Sequence, residues 1–309
     1  MSRCPPDVTV VVTSHDPIRL ERLLTSLRSQ TLPVDRFEVV VVGSEPMREP
    51  VPTHEEGLRV RMVESSAAPV AALDEGWRAA KAPLVAFTTD DCLATPGWLE
   101  GGVRAAARSP GALIQGRIEL DPAERELSRP FGIAREIHGR TIGSEIANLF
   151  FPLALIERLD GFDIGAFPVS GADTDLRWRA VKSGAEAVFA DDAVVYHTAD
   201  DVGAREHLQM TARLAEAIPL LRSHPEARAP GMLRRWFWSD RHWLFVRFVI
   251  GLLLPKRFRL VGLMLAAPYI ADVSSNRGGP LAIPLTAAVD ALDVVTVVRA
   301  AVRHRTPVI

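Results

Sequence analysis

The chain has 309 residues, 48% of them hydrophobic and 24% charged, with a formal net charge of -2. That length suits one large α/β domain with an appendage, and that composition allows a sizeable buried core. The near-neutral balance argues against a protein built to coat nucleic acid, which carries a basic excess, so no nucleic-acid partner is expected.

Two cysteines, Cys4 and Cys92, form no CxxC or Cys/His cluster, which removes a disulfide framework and a structural zinc site and fits a reducing cytosol. Met1 to Asp7 lacks the apolar core of a signal peptide, and export by the usual route is not expected. Val8 to Val12 is an almost unbroken β-branched run, the pattern of a strand buried on both faces of a parallel sheet. Thr13-Ser14-His15-Asp16-Pro17 breaks it, and Asp16 is placed to cap a helix with Pro17 at its first position. Leu20, Leu23, Leu24 and Leu27 then recur at helical spacing. Phe37 to Val42 is a second buried strand, completing a βαβ unit whose crossover should be right-handed.

Leu58 to Val63 reads as a third strand, about Pro69 to Lys81 as a helix with Val70, Leu73 and Trp77 on one face, and Leu84 to Thr88 as a fourth strand. That strand ends in Thr89-Asp90-Asp91-Cys92, and a helix opens near Trp98. Ligands of open parallel sheets bind at the carboxyl ends of strands, where Asp90 and Asp91 stand. A strand over 112–120 and a polar, loop-rich insertion over 121–145 follow. Next come a short helix from Leu153 to Leu159 stopped by Gly161 and a helix from Asp173 to Ser183 stopped by Gly184. Two short strands, Ala187 to Ala190 and Ala193 to Tyr196, lead to His197.

Composition shifts near Arg234, which places an α/β domain over 1–230 and a helical, aromatic and basic region over 231–309. Trp236, Phe237, Trp238 and Trp243 precede two apolar stretches, Leu244 to Leu254 and Leu260 to Ala271, separated by Pro255-Lys256-Arg257-Phe258-Arg259. Each is shorter than the roughly 20 residues a bilayer span needs. Three readings stay open: contact with a membrane interface, packing on the larger domain, and a genuine membrane span or hairpin.

Adjacent carboxylates at a strand end can hold a hard divalent cation, which neutralises a diphosphate. They are also ordinary solvated turn residues, the reading given to Asp191-Asp192. Asp173 and Asp175 at a helix start fit capping as well as chemistry, and His197 alone fits a structural role as well as a ligand.

Taken in order, the segments resemble glycosyltransferase family 2. The matching pieces are VTVVVTSHDPIRLERLLTSLRSQ (8–30), FEVVVV (37–42), AALDEGWRAAKAPLVAFTTDDCLATPGWLE (71–100), LDGFD (159–163) and GADTDLRWRAVKSGAEAVFADDAVVYH (171–197). The resemblance implies an α/β, GT-A fold: a mostly parallel sheet flanked by helices, here with a helical C-terminal appendage. It implies inverting transfer of a sugar from a nucleotide-diphosphate donor to an acceptor hydroxyl. In that scheme Asp91 and His197 hold Mn²⁺ or Mg²⁺, the imidazole favouring Mn²⁺. Asp173 is the general base, Asp90 assists at the metal or the ribose, Thr13 and Asp16 line the nucleotide pocket, and Asp74 closes a segment beside the donor. Family habit and the aromatic-cationic tail imply a lipid-linked or saccharide acceptor in cell-envelope or polysaccharide synthesis, met at the inner, cytoplasmic face of the cell membrane.

Four positions depart from the family pattern. Gly43 (with Glu45 nearby) stands where an acidic residue holds the nucleobase, Leu73 where an arginine lies near the donor, Thr89 at the first aspartate of Asp-Asp-Asp, and Ala172 before the base. Buried hydrogen bonds to charged groups are worth roughly 1.5–3 kcal/mol, so an altered or relaxed donor site is expected. The rival reading is a catalytically impaired binding or scaffold protein with the same fold. A nucleotidyltransferase and a Rossmann dehydrogenase are disfavoured because no glycine-rich phosphate loop follows Val12.

Overall fold

A computed structural model describes residues 5–43, 57–65, 68–124, 136–198, 203–228, 234–276 and 279–309. Contacts divide the chain into two compact units, Met1–Glu124 with Ala134–Ala199, and Arg125–Ile133 with Asp200–Ile309.

The first unit is built on an eight-stranded sheet, in which β1 (Val8–Ser14), β2 (Phe37–Gly43), β3 (Val60–Glu64) and β4 (Leu84–Thr89) run parallel in the order β3-β2-β1-β4. Beyond β4 lie β7 (Leu149–Pro152), β6 (Leu113–Leu120), β8 (Ala187–His197) and the edge strand β5 (Cys92–Ala94). Here β7 and β5 run against their neighbours, while β6 and β8 pair parallel. The sheet is therefore mostly parallel, as the β-branched runs require.

Helix α1 (Pro17–Arg28) opens on Asp16, whose carboxylate accepts the amides of Ile18 and Arg19. Its four buried leucines pack on the Val10 and Val12 face of β1, together with Trp98 and Leu99 of α3 (Trp98–Arg108). Each fully buried leucine contributes roughly 1.5–3 kcal/mol. Helix α2 (Pro69–Arg78) lies on the opposite face, where Gly76 backs onto Val11. The unit is completed by α4 (Leu153–Arg158) and α5 (Ala172–Lys182).

Three features differ from the sequence expectation. The short strands β5 and β7 lie where the sequence predicts no strand. The two strands expected over 187–196 are one, β8, interrupted by a register shift opposite Gly116 and Arg117. The residues at that irregularity are Asp191 and Asp192, which pair with Arg117 and Arg104, so this aspartate pair is structural.

The second unit is helical among the described residues: α6 (Ala204–Ala215), α7 (Leu220–Ser223), α8 (Asp240–Leu253), α9 (Arg259–Asn276) and α10 (Ile283–Arg303). The two apolar stretches of the sequence become α8 and α9, and α10 is an additional helix. Ala215, Ile218 and Leu221 pack with Val297 and Ala301 of α10, which is why the division between units falls earlier in the chain than the compositional change near Arg234. Among the described residues, Pro280–Arg303 is the one helix long and apolar enough to cross a membrane by length and composition. It also carries two buried carboxylates. Asp290 accepts from Tyr269 Oη at 2.6 Å and pairs with Arg241, and Asp293 lies 2.8 Å from His207 Nε2.

Candidate active site

Strands β1 and β4 pair in parallel from Val8↔Leu84 to Thr13↔Thr89, so both finish at the same, carboxyl end of the sheet. There the Asp90 carboxylate accepts from Ser14 Oγ at 2.9 Å and from the amides of His15 and Asp16 at 2.8 and 3.1 Å. Its own amide donates to the Thr13 carbonyl at 3.3 Å. Asp90 thus shapes the turn between β1 and α1, and Asp16 caps the helix leaving that turn, a contribution of about 1 kcal/mol.

Asp91 turns the other way. Its Oδ2 lies 3.4 Å from His197 Nε2, and its Oδ1 accepts from Thr89 Oγ1. The two residues meet because β5 runs antiparallel to β8 with Cys92 opposite His197. The Asp91 carbonyl also accepts from the Thr198 amide and hydroxyl at 3.0 and 3.1 Å. His197 Nδ1 is 2.7 Å from the Thr198 carbonyl, which only accepts. The Nδ1 proton is fixed there, which orients Nε2 toward the Asp91 side. A carboxylate oxygen and an oriented imidazole nitrogen are suitable ligands for a divalent cation such as Mn²⁺.

Cys92 Sγ joins these two in a group whose ligand atoms lie within 4.8 Å of one another. The thiol is fully buried, and burial together with the Asp91 charge pushes it up to about 12. With no cation beside it the thiol stays protonated, and an S–H group is a poor ligand. At pH 8 only about one molecule in ten thousand would carry the thiolate. In a Cys4→Ser background, Cys92 should resist alkylation until the protein is unfolded; rapid labelling of the native protein would contradict this burial.

Asp173 sits in the first turn of α5, which opens at Gly171 with φ 89°, a backbone conformation that a side chain would strain. Its Oδ1 accepts the Thr174 amide at 2.7 Å and its Oδ2 the Ile146 amide at 3.2 Å. The 144–148 segment is held from below by the buried Gln115, whose Oε1 accepts the Glu145 amide at 2.9 Å and whose Nε2 donates to the Asn148 carbonyl at 2.8 Å. Asn148, fully buried, accepts from Trp98 Nε1 and donates to the carbonyls of Arg117 and Ala193. The adjoining Ala147 carbonyl is 3.9 Å from Cys92 Sγ, so one short segment touches both Asp173 and the neighbour of Asp91.

The structure thus gathers Thr13, Asp16, Asp90, Asp91 and His197 at one strand edge, with Asp173 joined to it through Ile146 and Ala147. Asp74 is engaged differently. Its carboxylate accepts from Trp77 Nε1 at 2.7 Å, Arg78 Nε at 2.8 Å and the Phe162 amide at 3.3 Å, fastening α2 to the turn after α4. Asp175 pairs with Arg179, whose guanidinium donates to the Leu159 and Gly161 carbonyls. Gln115 and Asn148 were not anticipated; the available signal was one amide side chain inside each of two apolar runs.

The departures are also placed. Leu73 and Ala172 are buried, Thr89 donates to Asp91, and a Cβ on Gly43 would stand 3.2 Å from the Ser14 carbonyl oxygen. Ser44 and Glu45 lie outside the described residues.

Comparison with known proteins points one way. The family model described as Glycosyl transferase family 2 matches residues 9–158. Glycosyltransferase AglE of Haloferax volcanii is 26% identical over 219 residues, covering 66% of this chain and 70% of that protein. The pre-mycofactocin glycosyltransferase of Mycobacterium tuberculosis is 28% identical over 248 residues, 74% of this chain and 52% of that protein, so the chain spans about half of that relative. Among solved structures, the mannosyltransferase PcManGT from Pyrobaculum calidifontis, in complex with GDP-Man and Mn²⁺, superposes with a TM-score of 0.54 at 19% identity, covering 98% of this chain and 90% of that one. S. aureus TarS 1-349 with UDP-GlcNAc gives 0.54 at 16% identity, covering 97% and 92%.

Proposed function

We propose that this chain, a divergent glycosyltransferase of family 2 with a GT-A fold, catalyses inverting, cation-assisted transfer from a nucleotide-sugar donor to an acceptor hydroxyl. The observation that carries the reading is that the Ile146 amide donates to Asp173 while the adjoining Ala147 carbonyl lies against Cys92, the neighbour of Asp91.

Asp173, oriented by two backbone amides, removes the acceptor hydroxyl proton as the oxygen forms its bond to the anomeric carbon. The bond from that carbon to the donor phosphate oxygen breaks in the same displacement, the nucleoside diphosphate departs, and the proton rests on Asp173. Asp91 and His197 would hold the divalent cation, which when bound supplies positive charge for the departing diphosphate. Thr13, Asp16 and the turn fixed by Asp90 border the nucleotide, and Asp74 supports the site through its hold on the Phe162 turn.

The acceptor in this proposal is a lipid-linked or saccharide precursor of the cell envelope, met at the cytoplasmic face of the membrane, with the first unit carrying the chemistry. The donor complexes of PcManGT and TarS differ in base and sugar, so they support a nucleotide sugar without selecting one.

A thermal-shift screen of nucleoside diphosphates and their sugars, with and without Mn²⁺, tests the donor reading. At a hundredfold excess over Kd the preferred nucleotide should stabilise by about 2.7 kcal/mol, roughly 5–10 °C, and more with Mn²⁺ than without. No stabilisation by any nucleotide would remove the donor proposal. Binding without transfer to any acceptor would favour the impaired binding protein, which the altered positions Leu73 and Ala172 make the natural rival.

A further inference from the structure

The turn between α8 and α9 presents an unusual surface. Every residue from Pro255 to Val261 is exposed, including Leu260 at 80% and Phe258 at 44%, and the flanking Leu253 and Met264 are 78% and 73% exposed. A lone exposed leucine needs no explanation, but a contiguous apolar apex on a soluble protein marks a contact surface. Lys256, Arg257 and Arg259 lie within it, and the sequence has no acidic residue between Asp240 and Asp272. The two helices meet at backbone distance just behind the apex, where a Cβ on Gly251 would stand 2.5 Å from the Gly262 carbonyl oxygen and the reverse holds as well. The apex is therefore a firm wedge.

We infer that the α8–α9 apex inserts into the headgroup region of an anionic lipid bilayer. This rests on, and sharpens, the membrane-facing part of the function proposed above, and it is independent of the donor chemistry. Apolar side chains at the tip enter the acyl boundary, while lysine and arginine stems reach back to the anionic headgroups. The charge pattern selects this occupant. A second copy joined apex to apex would bring like charges together, whereas an anionic leaflet neutralises them.

The test is co-sedimentation of the full chain with phosphatidylcholine vesicles, alone and with phosphatidylglycerol added. Binding should require phosphatidylglycerol and weaken with salt. Neutralising Lys256, Arg257 and Arg259 with glutamine should cost about fivefold per cation, roughly 100-fold together. Leu253→Glu with Leu260→Glu should abolish binding with unchanged circular dichroism, since both side chains project into solvent. Failure of the wild type to bind anionic vesicles overturns both this inference and the membrane reading. Binding that neither set of variants weakens overturns the apex assignment and leaves the membrane reading standing. A dimer that the leucine variant converts to monomer, with no lipid preference, makes the apex a self-association surface and overturns the inference.

Discussion

Asp173→Asn should lower kcat by about 10²–10⁴-fold while leaving the donor KM close to wild type and lowering the melting temperature by only about a few degrees. Asparagine keeps the shape of the side chain and one acceptor oxygen, so one of the two amides, Thr174 or Ile146, retains its partner. The other loses an acceptor in a half-buried position, a local cost of about 1–3 kcal/mol. What disappears entirely is the carboxylate proposed to take the acceptor proton. The split between kcat and KM is the informative readout, because loss of fold would lower both activity and nucleotide-induced stabilisation. Full turnover in this variant would sink the assignment of Asp173 as base.

Asp91→Asn should weaken Mn²⁺-dependent stabilisation by nucleotide at least about 10–100-fold in apparent metal affinity, with metal-free nucleotide binding little changed. The substitution removes the charge facing His197 Nε2 and keeps an oxygen for Thr89 Oγ1. The bonds from Thr198 go to the Asp91 backbone carbonyl, so the corner itself should persist. A Mn²⁺ titration read by thermal shift separates the effect from misfolding. An unchanged Mn²⁺ dependence would place the cation elsewhere or remove it from the mechanism.

The strands and helices that the sequence makes legible are those whose burial leaves a local pattern. The β-branched runs of β1 and β2, the Asp16 cap and the leucine stripe of α1 each follow from interactions among near neighbours in the chain. Strands β5 and β7 left no such mark, because three or four residues are too short for periodicity to declare itself and their partners are distant in sequence. The same reason hid the meeting of Asp91 with His197 through the Cys92 pairing; the family resemblance suggested the two residues, but nothing local brought them together. Asp90 and Asp91 look equivalent as letters, yet backbone direction gives one to the β1 turn and the other to the imidazole. Gln115 in β6 and Asn148 just before β7 are illegible for a related reason: within an apolar run, an amide that satisfies buried backbone groups cannot be told by pattern from one facing solvent.

The turn organised by Asp90 has an entropic consequence. Fixing a residue's backbone costs roughly 1–2 kcal/mol, and Ser14, His15 and Asp16 are already restrained by their bonds to one carboxylate. Much of their conformational freedom is lost when the protein folds, before any ligand arrives. A nucleotide docking there, as proposed, would meet a preorganised rim, and more of its contact energy would appear as affinity because less ordering of that turn would accompany binding.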